Sequence, residues 1–149
     1  MNYLSTEELE NYIETVYKEL IPLAFKDDIF EPLSVFFATG TPMNQPGDYC
    51  YSDSNGYHYS STGDHGEAYP DNVTESLLEV TYWVIKTSVQ LMSSRYKSKK
   101  IVPKQDIRRV MFQKVLEFFE VLGDEYKQRA ELDINKTLEK YPYCDELFR

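Results

Sequence analysis

The sequence predicts an α+β fold. It is mostly helical, with about four main helices around a central buried helix and a small antiparallel sheet containing an Asn-Gly hairpin. Three observations predict this. Apolar residues recur every three or four positions over most of the chain, which is the mark of helices with one buried face. Residues 33–69 break that rhythm with short β-rich runs and five of the tyrosines in one neighbourhood (Tyr49, Tyr51, Tyr57, Tyr59, Tyr69). Inside that stretch Asn55-Gly56 is a strong hairpin signal, because both residues tolerate the positive φ of a type I′ turn. A length of 149 residues predicts one domain over residues 1–149, with the sheet at about 33–69 and the helical body at 5–22 and 73–141.

The first helix opens with a capping box. Ser5 offers its oxygen to a free backbone N–H, and Glu8 reaches back. Leu9, Tyr12, Ile13, Val16, Tyr17 and Leu20 then form one apolar stripe, which Pro22 stops. Residues 33–38 (Leu-Ser-Val-Phe-Phe-Ala) predict a strand, and glycine and proline punctuate the loop to Gly47. With a strict Asn55-Gly56 turn, Asp53 would face His58 and Ser52 would face Tyr59. Tyr49, Tyr51, Asp53, His58 and Ser60 would share one face, turned to solvent. Cys50, Ser52, Tyr57, Tyr59 and Ser61 would share the other, toward the core. Asn72 with Glu75 predicts the cap of a long helix to about Lys97, apolar nearly all round and therefore central. A third helix is predicted from about Lys104 to Leu122. Its polar stripe includes Asp106 and Arg109, and Gly123 ends it. A fourth runs from Asp124 to Lys140, burying Tyr126, Ala130, Ile134, Leu138 and Tyr141, with Pro142 beyond it.

The formal net charge is −9, unevenly spread. Residues 1–80 hold 15 Asp/Glu against Lys18 and Lys26, a net −13; residues 81–149 hold 14 Lys/Arg against 10 Asp/Glu, a net +4. This excludes non-specific binding to nucleic acid or to an anionic membrane by the chain as a whole, and an acidic half steers a basic partner toward it. The basic cluster Lys97, Lys99, Lys100, Lys104, Arg108 and Arg109 offers phosphate contacts, an internal complement to the acidic half, or a plainly solvated surface, the last two favoured by the acidity elsewhere. Cys50 and Cys144 lie far apart with no paired framework, which fits a reducing cytoplasm. The N-terminus has no signal-peptide pattern. The most apolar stretch, residues 77–92, is interrupted by Glu79, Lys86 and Gln90, so no membrane span is expected.

Asp53, His58, Asp64, His65 and Glu67 are the residues that could build a metal site or an acid–base pair. A metal needs three or four convergent ligands, and their spacing matches no standard motif. Strand alternation puts Cys50 on the face opposite His58, against a Cys–His dyad. No catalytic residue, metal or cofactor is predicted. The tyrosines, with Asp53, His58, Asp64, His65 and Glu67, suit recognition of a protein better than catalysis. The alternatives are a small metal-dependent hydrolase using the Asp/His cluster, or a regulatory protein-binding adaptor.

Several residues carry a family resemblance in their order and spacing. They are Tyr57-His58-Tyr59 after a turn, Gly66-Glu67, Tyr82-Trp83, Asp106-Ile107-Arg108-Arg109, Phe112, Tyr126, Arg129, Ile134, Leu138, Lys140-Tyr141-Pro142-Tyr143 and Asp145. Over roughly residues 47–145 the chain resembles the immunity protein 63 family of bacterial polymorphic-toxin systems. The family pattern has Glu-Arg-Gly where this chain has Asp64-His65-Gly66. The resemblance implies a small cytoplasmic, non-enzymatic inhibitor that binds and neutralises a toxin delivered by neighbouring cells. Tyr57, His58, Tyr59, Gly66, Trp83, Arg108 and Arg109 are its family-like positions. An acidic inhibitor suits a toxin with a basic, nuclease-type cleft. The oligomeric state is not legible.

Overall fold

The computed structural model describes residues 2–22, 30–38, 45–63 and 71–148. In chain order the elements are α1 (Thr6–Lys18), β1 (Val35–Phe36), β2 (Gly47–Asp53), β3 (Gly56–Thr62), β4 (Asn72–Thr74), α2 (Leu77–Lys99), α3 (Arg108–Leu122), α4 (Asp124–Lys140) and a 3-10 turn, Asp145–Leu147. Helices with one four-stranded sheet make an α+β fold. The chain forms two compact units. One comprises Met1–Tyr17 and Pro32–Lys86 and holds the sheet; the other comprises Lys18–Glu31 and Thr87–Arg149 and is helical. No helix among the described residues is long and apolar enough to cross a membrane.

In the sheet unit, α1 opens on the predicted capping box. Ser5 N donates to Glu8 Oε1 at 2.9 Å and Glu8 N donates to Ser5 Oγ at 3.1 Å. The stripe behind it buries Leu9, Ile13 and Tyr17, whereas Tyr12 stays 37% exposed at its margin. Burying a side chain such as Leu9 or Ile13 contributes about 2 kcal/mol.

The sheet order is β1-β2-β3-β4, and it is mixed rather than antiparallel: β1 runs parallel to β2. Apolar alternation does not encode strand direction. Here direction is fixed by a corner in which Phe36 stacks on Tyr49 at 5.3 Å and Gly47 lies against the Phe36 ring, leaving no space for a Cβ. The predicted strand at 33–38 contracts to Val35–Phe36.

The hairpin turns one residue earlier than Asn55-Gly56 predicts. Asp53 pairs with Gly56, Ser52 with Tyr57 and Tyr51 with His58, so the turn residues are Ser54 and Asn55. The Asp53 side chain causes the shift by accepting the Asn55 N–H at 2.8 Å. The positive φ falls on Gly56 alone, at +128°. The offset moves each pairing by two residues along one strand, so every side chain keeps its predicted face while the direct partners change.

The solvent-facing side does change. Tyr49 and His58 are 4% and 5% exposed, as deeply buried as Tyr57 on the other face. Their own face-mates cover them, Phe36 over Tyr49 and Tyr51 over His58. The strand β4 replaces the predicted start of the long helix, pairing Tyr57 with Thr74 and His58 with Val73. Ser76 rather than Asn72 caps α2, accepting the Glu79 N–H at 3.1 Å. Within this unit α2 buries Val80, Thr81, Tyr82, Val84 and Ile85.

In the helical unit, α2 continues with Ser88, Val89, Met92 and Ser93 buried, while Leu91 is 43% exposed. The helix α3 begins at Arg108, not Lys104, because Lys104 takes a positive φ of 63° in the preceding turn. It buries Val115, Phe118, Phe119 and the stem of Lys114. Gly123 closes α3 at φ 134°, its N–H reaching Phe119 O and Glu120 O, and α4 follows at once. Tyr126 and Ala130 are buried on α4, but Tyr141 lies beyond its end at 66% exposure. Asp106, predicted on a polar stripe, is 1% exposed.

Candidate functional site

The most concentrated polar arrangement on the sheet centres on His58. Strand β3 carries the ring inward, and β2 lays Tyr51 flat on it, with centroids 4.4 Å apart and planes 6° from parallel. Asp53, at the end of β2, reaches diagonally so that its Oδ1 lies 2.8 Å from His58 Nε2. Asp71, just before β4, places Oδ2 2.6 Å from Nδ1. Two carboxylate partners require both ring nitrogens to donate, so the geometry fits an imidazolium. Burial alone would lower the histidine pKa, but the hydrogen bonds that His58 donates to Asp71 and Asp53 outweigh it and the net shift is upward. The same hydrogen bond from His58 holds the Asp53 carboxyl below its usual range.

In the imidazolium form His58 has no lone pair for a metal or for proton abstraction. Among the described residues, no group of three or more His, Cys, Asp or Glu could hold a metal ion. Cys50 faces away from His58, and burial pushes its thiol pKa up to about 12, so it is no thiolate at neutral pH.

The remaining candidates divide by burial. Tyr49, Tyr57 and His58 are interior groups, which corrects the expectation that Tyr49 and His58 face solvent and agrees with Tyr57 on the core side. Tyr57 Oη accepts the Leu4 N–H at 3.0 Å, and its ring meets Tyr3 edge-on at 5.4 Å. Tyr51, Tyr59 and Asp53 reach the surface wholly or in part. Tyr59 donates to Asp48 Oδ2 at 2.7 Å, beside Ser61 on Oδ1, and its ring lies 6.5 Å from Trp83. Asp64, His65, Gly66 and Glu67 lie outside the described residues. Sequence reasoning missed Asp71 and Asp48. Asp71 flanks β4 and Asp48 lies within β2, and neither carries a spacing motif.

In the helical unit the family-like arginines bind the chain's own C-terminal segment. Arg108 contacts the buried Asp106 carboxylate through Nε and Nη2, the latter at 2.8 Å, and donates to the Tyr141 and Pro142 carbonyls, each at 2.8 Å. Arg109 forms a fork on Asp145 at 2.9 and 3.0 Å and stacks 4.0 Å from the Tyr143 ring centroid. Asp145 in turn accepts the Asp106 N–H, and Asp106 accepts the Cys144 N–H. The Arg108 hydrogen bond keeps the Asp106 carboxyl far below the ordinary carboxylate range. The order Asp106, Arg108, Arg109, Tyr143, Asp145 is thus one connected fastening.

The family model for immunity protein 63 matches residues 53–136, more than half of the chain. The chain belongs to the immunity protein 63 family. The comparisons with curated proteins and with solved structures gave no match. The matched span takes in His58 with its partners Asp53 and Asp71, Trp83 and both arginines.

Proposed function

We propose that this immunity protein neutralises a toxin by tight, non-covalent binding, in the cytoplasm of the cell it protects, and that the sheet unit is the toxin-facing part. Charge carries the proposal. The sheet unit holds eleven Asp/Glu against Lys86 alone, a formal −10, whereas the helical unit holds fourteen Asp/Glu against fifteen Lys/Arg, a formal +1. A unit this acidic complements a toxin whose working surface is basic, as a phosphate-binding nuclease cleft is. Glu10 and Glu14 are exposed on α1, and Tyr51, Asp53 and Tyr59 supply aromatic and acidic groups at the sheet surface. Asp64, His65 and Glu67 belong to the same acidic unit by sequence. The binding reading is favoured over the hydrolase alternative, which would use Asp53, His58 and His65, because both nitrogens of His58 are engaged by carboxylates.

The test is charge reversal away from the core. Glu10→Lys combined with Glu14→Lys should slow association with the toxin domain encoded beside this gene by at least about tenfold at low salt, with little change in dissociation. An unchanged association rate would place the contact elsewhere.

A further inference from the structure

The helical unit contains an open cavity of about 440 Å³ that the immunity reading does not use. Its wall is one face of α3, carrying Arg109, Gln113, Lys114 and Glu117, closed by Tyr96 from α2 and Tyr143 from the C-terminal segment. Two cations sit in that wall, each against a ring. Lys114 Nζ lies 4.2 Å from the Tyr96 centroid and 5.4 Å from that of Phe118; Arg109 Cζ lies 4.0 Å from Tyr143. The Lys114 side chain is only 8% exposed, so its charge acts through a poorly screened medium. Each cation also has a carboxylate partner: Glu117, which lines the same cavity and is 47% exposed, stands 3.7 Å from Lys114, and Asp145, 42% exposed, is forked on Arg109. Independently of the cavity, every charged residue in 95–114 other than Asp106 is basic. The volume falls within the range of small-molecule sites, roughly 300–1,000 Å³.

We propose that this cavity binds the oxyanion group of a small organic ligand, a phosphate or a carboxylate, seated against Lys114 and Arg109 with the Gln113 amide as a further donor. The cations are held at the wall by aromatic contact rather than extended into solvent, so little side-chain entropy is lost when an anion arrives. The site lies within the helical unit and is independent of toxin binding.

The experiment is a proton–nitrogen NMR titration of the full chain at fixed ionic strength, with inorganic phosphate and separately with citrate. The proposal expects saturable shifts at residues 105–117 and at Tyr143. A response to phosphate alone identifies a phosphate ligand, and a response to citrate alone a carboxylate. Gln113 is exposed, so Gln113→Glu puts a negative charge at the rim without touching the core and should weaken binding by about tenfold or more. Gln105 also lines the cavity, and Gln105→Glu repeats that test at a second position. Shifts that rise linearly without saturating, shifts centred on Lys97 to Lys104, or a response unchanged in both variants would overturn the proposal.

Discussion

At the scale of single residues, His58 shows how position redefines a side chain. In the sequence a histidine near aspartates suggests chemistry. In the fold each of its nitrogens meets a carboxylate and its face is covered by Tyr51, which turns it into an internal cation in the acidic unit. Its raised pKa sets the sign of a pH effect. Below the unfolded value, about 6.5, the ring is charged in both states and the pairing stabilises in full. As pH rises through the higher folded value, that stabilisation is lost. Thermal melts from about pH 6 to pH 9 should therefore show wild-type stability falling relative to His58→Gln, which has no such titration; parallel pH profiles would refute the ion-pair description. Asp106 makes the complementary case, an apparently surface carboxylate that is buried beneath Arg108. Asp106→Asn should cost about 2–3 kcal/mol in urea unfolding, below the 3–5 typical of a fully buried pair because Arg108 keeps partial contact with water.

At the scale of elements, most helices were legible because each has a complete local code. Ser5 with Glu8 sets the start of α1, and Gly123 sets the break between α3 and α4. Where two local codes competed, the choice was not legible. Only Asn72-x-x-Glu75 is predicted as a cap; Ser76-x-x-Glu79, not singled out in the sequence, has the same spacing, and pairing of Asn72–Thr74 with β3 decides for it. Ser76→Ala should cost about 1 kcal/mol and Asn72→Ala under about 0.5, measured by chemical denaturation; the reverse order would restore the earlier helix start. The hairpin shift has the same origin, since the Asp53 side chain captured a backbone donor that a propensity argument for Asn-Gly does not weigh. Gly56 then carries the strain. A Cβ there would lie 2.6 Å from Thr74 O, whereas at Gly123 nothing lies within 4 Å. Gly56→Ala should cost about 2 kcal/mol or more, and Gly123→Ala distinctly less, since only the second avoids a clash with backbone.

At the scale of the whole molecule, the sequence exposed the charge asymmetry but drew its boundary by chain order. The fold redraws it by unit: residues 18–31 join the helical unit, leaving the sheet unit at −10 and the helical unit at +1. The candidate site was only partly legible, since Tyr49 and His58, expected at solvent, are interior, and Asp71 entered beside a strand that periodicity did not predict. Family membership supplies the class of function, and charge is the ground for proposing the sheet unit as the toxin-facing part. Association with a basic toxin should slow as salt rises past roughly 0.15 M, where the Debye length is about 8 Å. The most direct measurement is co-expression of this chain with the toxin domain encoded beside its gene, scoring growth and recovery of a complex. The account predicts that growth is restored and that the two chains co-purify as a stable complex. Continued killing by the toxin, with no complex recovered, would contradict it.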